Sequence, residues 1–498
     1  MFIPMVAVFL SVSAGSPAEG PSNPPPSPPS NTPPNVLLIA VDDLNDWIGC
    51  LKGHPQAVTP HIDKLASRGM LFFNAHCQAP LCNPSRSSLL TGLRPSTTGI
   101  HGLTPGIRSV DATKSRKTLP QVFTSSGYHT FTCGKIFHDG SIPKDTSEFA
   151  KWGPAPGPGK PAKPIAQLPE PRHPAMDWGI FPESDEDHCD YKIANAAIAA
   201  IRGAPADKSF LIACGFRSPH VPCYAPQKWF DTFPMDTIQL PPVTDHDRED
   251  VPPFAWRLHW RLPEPRLDTL RKENEWKPLV RAYLASIRFM DAQVGRVLEA
   301  LEQSGHSRDT IIILWSDHGY HLGEKSITGK NSLWERSTRV PLLFSGPNIQ
   351  HGICLEPAEM LDIYPTLLEL CSRDKVDGLE GHSLLPQLRT PTQPRTWPAI
   401  TTHNQGNHAI RSKTHRYIRY ADGSEELYDM VADPNEWKNL AKDPAYSGQK
   451  ARLALWLPKI DVPAAPGSKH RVLSYDKKTG IANWEGESVR PEDLPPGP

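Results

Sequence analysis

Asn35-Val36-Leu37-Leu38-Ile39-Ala40-Val41 is an unbroken apolar run rich in branched side chains, and it ends on two adjacent carboxylates, Asp42-Asp43. A strand with one face in water alternates apolar and polar residues. A strand without that alternation is buried on both faces, as in a parallel sheet covered by helices. In open sheets of that kind, ligands bind beyond the carboxyl ends of the strands, where Asp42 and Asp43 stand. Two like charges there are costly unless a cation binds between them. The competing reading, a helix cap or a turn, accounts for one aspartate better than for two.

Working outward, the pattern repeats. Tyr128 to Cys133 reads as a strand that delivers Gly134-Lys135-Ile136-Phe137-His138. Ser209 to Cys214 opens into Arg217-Ser218-Pro219-His220-Val221-Pro222, and Thr310 to Trp315 ends in Ser316-Asp317-His318-Gly319. Met70 to His76 and Arg339 to Ser345 are further strands. Helical patterns fall between them at Thr59–Gly69, Thr118–Ser126, Asp190–Gly203, Val280–Gln303 and Glu359–Leu370. This alternation through residues 35 to 370 predicts an α/β fold with a large, mostly parallel central sheet and helices on both faces. Singly, Lys135 or His138 would be an ordinary surface residue. His220, between two prolines, is a candidate proton donor with an intrinsic pKa near neutral.

A second stretch carries chemistry. Cys82-Asn83-Pro84-Ser85-Arg86, followed by Ser87-Ser88-Leu89-Leu90-Thr91-Gly92, reads as a loop turning into a short helix with the cysteine just ahead of its N-terminus. Unpaired backbone N–H groups and the helix dipole favour negative charge there. Arg86, one turn in, offers a planar charged fork suited to tetrahedral oxyanions. A lone cysteine before a helix is more often a small buried hydrophobe, so the reactive reading needs the Asp, Lys and His strand ends beside it. By contrast, Gly323-Glu324-Lys325-Ser326-Ile327-Thr328-Gly329-Lys330-Asn331 fails as a phosphate loop. Five residues separate its glycines and Asn follows the Lys.

The chain has 498 residues, with 53 basic and 54 acidic side chains and a formal net charge of −1. Nothing global points to nucleic acid or an anionic membrane. Residues 1–18 read as an export signal, an apolar run too short to span a bilayer followed by small residues, although the first Lys or Arg is Lys52. Residues 19–34 form a Pro-rich linker, with eight prolines between 21 and 34. No later stretch is apolar enough for a membrane span, so the expected location is periplasmic or secreted. Nine cysteines are an odd number for an exported chain; with Cys82 consumed by chemistry, the other eight permit disulfides without requiring them.

Residues 35–385 are expected to form the catalytic domain. Within it, the Pro- and Gly-rich segment 139–183 is read as a rim that shapes substrate access. Beyond the Pro-rich boundary at 386–398, four short strand-like pieces (399–402, 408–411, 416–420, 426–430) and a helix near 447–456 predict a small antiparallel sheet with a helix on it, a subdomain spanning 386–460. The tail 461–498, rich in Pro, Lys and Glu, is assigned no structure.

The order C-x-P-S-R resembles the signature of the type I, formylglycine-dependent sulfatases of the alkaline phosphatase superfamily. The resemblance runs from residue 35 to about 440. Cys133-Gly134-Lys135-Ile136-Phe137-His138, Ser316-Asp317-His318-Gly319 and Lys330-Asn331-Ser332-Leu333-Trp334-Glu335 bring it closest to the iduronate-2-sulfatase-like branch. It implies an alkaline-phosphatase-like fold, oxidation of Cys82 to formylglycine by a maturation enzyme, and one calcium ion held by Asp42, Asp43, Asp317, His318 and the modified Cys82. His318 is the weakest of these on first principles, because calcium prefers oxygen. The resemblance also implies catalytic roles for Arg86, Lys135, His138, His220 and Lys330. The expected substrate is a sulfated carbohydrate, a uronate 2-O-sulfate or similar unit of a polysaccharide. Two alternatives compete: a phosphodiesterase or phosphonate monoester hydrolase of the same superfamily, and a catalytically silent carbohydrate-binding relative.

Overall fold

The computed structural model describes residues 33–143, 147–259 and 262–490. The export signal expected at 1–18, most of the 19–34 linker and the last eight residues lie outside them.

Eight strands make the central sheet: β1 (Asn35–Val41), β2 (Met70–His76), β3 (His129–Gly134), β4 (Lys151–Trp152), β5 (Phe210–Phe216), β6 (Thr310–Ser316), β7 (Leu342–Ser345) and β8 (Gly352–Glu359). Their order across the sheet is β8-β2-β7-β6-β1-β5-β3-β4. All pairings are parallel except those of β7, which runs antiparallel to both β2 and β6. The fold class expected from the alternation is therefore the one observed. β8, an edge strand, was not legible: Glu356 and Pro357 interrupt its apolar pattern, and the pairing register shifts between Cys354 and Pro357.

β1 sits at the centre and shows why its sequence does not alternate. Leu37, Ile39 and Val41 join one apolar layer with the helices Cys189–Arg202 and Trp276–Gln303. Val36, Leu38 and Ala40 join the opposite layer with the helices Cys82–Thr91, Leu119–Ser125 and Ile363–Leu370. Each fully buried side chain of this size contributes about 1.5–3 kcal/mol relative to exposure, so both faces of β1 hold the sheet in place. The helix Trp276–Gln303 spans one whole layer and buries Leu279, Tyr283, Ile287, Met290, Val294 and Leu301. Its Asp291 carboxylate accepts the backbone N–H groups of His61 and Ile62 at 3.2 and 2.9 Å. This satisfies the start of the helix Pro60–Ala66, whose N-cap Thr59 makes no side-chain cap.

Beyond the sheet, strands 399–402, 408–411, 415–419 and 425–429 form the expected four-stranded antiparallel sheet, and the helix Ser447–Ala454 follows. The tail differs from expectation. Leu473–Asp476, Ile481–Trp484 and Glu487–Val489 form a three-stranded antiparallel sheet. It is anchored by buried Leu473, Ala482, Trp484 and Val489, which pack with Phe254 and Tyr420. Only these few apolar positions are interspersed among charges, too sparse a pattern to read as strands. All nine cysteines are free thiols, and eight of them are buried.

Candidate active site

The ends of four strands meet at Cys82. β1 runs into Asp42 and Asp43, β6 into Asp317 and His318, β3 into Lys135 and His138, and β5 into the loop carrying His220. Cys82 is itself the first residue of the helix Cys82–Thr91, one position later in the fold than the sequence suggested, and all ten residues of that helix are buried. Leu81 at the N-cap supplies no side-chain cap, so the first backbone N–H groups are left to polarise the cysteine.

The Cys82 Sγ lies 3.2 Å from Lys330 Nζ, 3.2 Å from His318 Nε2 and 3.7 Å from Lys135 Nζ, with His138 lining the same cavity. Burial opposes ionisation, yet Lys135, Lys330 and His318 together hold the thiol well below its ordinary range. The position favours an anionic oxygen or sulfur over a neutral thiol. Lys330 bridges this atom to Asp43, with Nζ 2.7 and 3.0 Å from the two carboxylate oxygens, and Lys135 bridges it to Asp42. Burial would raise the Asp42 carboxyl, but Lys135 beside it holds it well below the usual range. Asp43 has φ 61°, a left-handed conformation uncommon for a non-glycine residue. It is held there by Asp43 N donating to Asp317 Oδ1 at 3.1 Å and by Tyr283 Oη donating to Asp43 O at 2.7 Å.

Arg86 behaves differently from the expected oxyanion fork. Its Nε donates to Asp317 Oδ2 at 2.8 Å, its Nη2 to Asp42 Oδ1 at 3.0 Å, and its Nη1 to the carbonyls of Lys135 and Ile136. The guanidinium also lies over Trp315, 5.7 Å from the ring centre. Arg86 ties the ends of β1, β3 and β6 together and orients the acids, so its donors are committed before a ligand arrives. His220 is partly exposed, with Nε2 3.9 Å from Asp43 Oδ2. His138 Nδ1 is buried without a hydrogen-bond partner.

The donor set suits a hard cation. Ligand atoms of Asp42, Asp43, Cys82 and His318 all lie within 4.8 Å of one another, and carboxylate oxygens are what calcium takes. His318 Nδ1 is fixed by Gly319 O at 3.0 Å, which aims Nε2 inward in the manner of a metal-ligating imidazole. Burial opposes its protonation, but Asp317 beside it pushes the ring up to about 9, so cation binding there would release a proton. Asp317 sits against this group rather than within it; its carboxyl is pushed up to about 6 by burial, against the pull of Arg86.

The chain matches the Sulfatase family model over residues 34–372. It belongs to the sulfatase family. A second model, N-sulphoglucosamine sulphohydrolase C-terminal, matches residues 323–461. A "Sulfatase" of Formosa agariphila is 42% identical over 444 residues, covering 86% of this chain and 87% of that one. A "Delta 4,5-hexuronate-2-O-sulfatase" of Bacteroides thetaiotaomicron is 29% identical over 83% of this chain and 86% of its own. The human iduronate 2-sulfatase is a distant homologue, 33% identical over 71% and 68% of the two chains. Among solved structures, a 2-O GAG sulfatase superposes with a TM-score of 0.67 at 25% identity, covering 85% of this chain and 91% of that one. A phosphonate monoester hydrolase from Silicibacter pomeroyi shares the fold, with a TM-score of 0.71 at 19% identity and coverage of 91% and 100%.

A cavity of about 220 Å³ opens onto the sulfatase site, and Cys82, His138, His220 and Lys330 line one part of it. The rest comes from the 139–183 segment and from two stretches whose part in the site the sequence left unassigned. His173 and Met176 arrive from the 139–183 loop, as a rim segment would; Glu264 comes from the irregular stretch after the fifth strand, and His470 and Arg471 from the tail. No motif or periodicity marks these residues. Asn331 was also missed: it is fully buried beside Lys330, in a left-handed conformation, with neither amide atom hydrogen-bonded.

Proposed function

We propose that this sulfatase removes sulfate from a sulfated sugar, a uronate 2-O-sulfate or similar unit of a polysaccharide, using a nucleophile derived from Cys82 by oxidation to formylglycine. The observation that carries the proposal is the surround of Cys82: two lysines within 3.7 Å on one atom and histidines at the cavity beside it. The similarity to a hexuronate-2-O-sulfatase over most of both chains supports the choice of sugar.

The aldehyde hydrate supplies two hydroxyls on one carbon, the first to attack sulfur and the second to release the product. A calcium ion held by Asp42, Asp43, His318 and the modified Cys82, whose ligand atoms lie together, with Asp317 adjoining them as the fifth expected ligand, would supply Lewis-acid stabilisation of the negative charge. Lys330 and Lys135, already poised on residue 82, bind sulfate oxygens and offset charge as the ester S–O bond breaks. His220 gives its proton to the departing sugar oxygen. His138 then takes the proton of the second hydroxyl. The C–O bond to sulfate breaks, sulfate leaves and the aldehyde is restored. In this scheme Arg86 acts through Asp42 and Asp317 and is a positioning residue. The catalytic chemistry is assigned to residues 35–385, and the 386–460 subdomain packs beside it. Export to the periplasm or medium, and a formylglycine-generating partner, complete the reading. Among the described residues no helix is long and apolar enough to cross a membrane.

Sulfate and phosphate release from matched aryl esters, together with a panel of defined sulfated mono- and oligosaccharides, tests the proposal. Sulfate release should dominate, with the uronate 2-O-sulfate as the best substrate. Dominant phosphate or phosphonate hydrolysis would replace this reading with the phosphonate-hydrolase one.

A further inference from the structure

The catalytic groups occupy one part of the cavity; another part is walled by Arg471, His470 and Glu264. Residues 470 and 471 lie beyond both family-model matches, which end at 372 and 461. They belong to the turn that leads into the C-terminal three-stranded sheet. His470 and Arg471 are consecutive non-glycine residues with φ of 64° and 71°, a left-handed pairing that persists only where the surroundings impose it.

The surroundings here do impose it. Leu103 N donates to the carbonyls of Lys469 and His470 at 3.1 and 3.2 Å. Asn404 Nδ2 donates to Arg471 O at 3.2 Å, and Leu473 N donates to Asn404 Oδ1 at 3.1 Å. At Gly102 an added Cβ would meet Lys469 O at 2.5 Å, so the turn is seated tightly against the loop that follows the Cys82 helix. This clamping delivers the Arg471 side chain to the cavity wall.

Arg471 is left with donors to spare. Among the described residues its one carboxylate neighbour is Glu264, an ion pair with Nη2 3.7 Å from Oε1, too far for a hydrogen bond. Its Nε is buried without a hydrogen-bond partner, and so is Glu264 Oε2. A buried guanidinium N–H and a buried carboxylate oxygen without hydrogen-bond partners, both on the wall of a substrate cavity, are costly unless a ligand completes them. Glu264 is more than nine-tenths buried, and Arg266 lies close enough to offset part of its charge.

We propose that Arg471 and Glu264 form a subsite for an acidic sugar, in which the Arg471 guanidinium takes the ring carboxylate while Glu264 accepts a neighbouring hydroxyl. The proposal rests on the uronate reading above and assigns the recognition of that sugar to the C-terminal appendage. A guanidinium fork matches a carboxylate in plane and charge. The cavity, at about 220 Å³, has room for one sugar unit between this wall and residue 82.

The test compares kcat/KM for the 2-sulfate of an aryl hexuronide with that for the matching carboxyl-reduced hexoside, in wild type, Arg471→Gln and Arg471→Lys. Wild type should prefer the acidic substrate. Arg471→Gln should lower the acidic-to-neutral ratio about tenfold to a hundredfold, the range for losing a charge-assisted hydrogen bond, with the change carried in KM. Arg471→Lys, a charge without the fork, should fall between. An unchanged ratio in Arg471→Gln, with the wild-type preference intact, overturns the subsite and leaves the uronate reading standing. A wild type without preference for the acidic substrate overturns both. Inhibition of the wild-type enzyme by free hexuronate against the reduced sugar reads the same wall without substitution, and equal inhibition overturns the subsite.

Discussion

Cys82→Ser should abolish turnover, by about 10⁴-fold or more, the scale on which removing a covalent nucleophile acts. The reason is geminal chemistry rather than nucleophilicity alone. A serine hydroxyl at the helix N-terminus, with Lys135 and Lys330 at the distances found for Sγ, can still be sulfated. It has no second hydroxyl on the same carbon for His138 to deprotonate, so the sulfate ester has no internal route out. The variant should therefore accumulate sulfate on the peptide containing residue 82 while remaining folded. The Cys82 side chain is fully buried, and the exchange keeps its size close. Intact-protein mass after incubation with substrate, read beside sulfate release, checks both halves; full turnover by the serine form would remove the need for an aldehyde.

Arg86→Ala should be the most damaging substitution for the fold as well as for activity. It removes the guanidinium that Asp42 and Asp317 share, leaving Asp42 with Lys135 and Asp317 with His318 at 3.6 Å. Breaking a buried ion pair from one side costs about 3–5 kcal/mol, and here one side chain serves two carboxylates and two carbonyls. Arg86→Lys restores charge but not the fork, and should recover part of the stability and little of the activity, because the two acids would no longer be held in one plane. Denaturant midpoints and sulfate release on the three proteins measure this. An alanine variant as stable as wild type would show that Arg86 does not tie the strand ends together.

The strand-end acids were legible because Asp42 and Asp43, and Asp317 and His318, follow strands that are apolar almost throughout. Such a strand fixes where its last residue lies. Asp42, Asp43, Asp317 and His318 therefore had a location before they had a role, and the Cys82 motif supplied the chemistry. What Arg86 does was not legible, since a residue type states what it can bond and not which partners reach it first. The specificity wall was hidden for a different reason. Glu264 and Arg471 come from segments with no period, and the turn at 470–471 is held by Leu103 and Asn404, distant in sequence. β8 escaped because it buries Glu356, Pro357 and Glu359 while Ile353 and Leu355 are exposed, the reverse of the pattern that marks a strand, and the C-terminal three-stranded sheet escaped because its few buried apolar positions are spread over three short strands.

The most direct test is to prepare the protein with and without a formylglycine-generating enzyme, measure by peptide mass the fraction of residue 82 converted to the aldehyde, and record sulfate release from a defined uronate 2-O-sulfate. Release that rises in proportion to the converted fraction and vanishes at zero conversion is the expected result. Equal release by protein carrying unmodified Cys82 would contradict it.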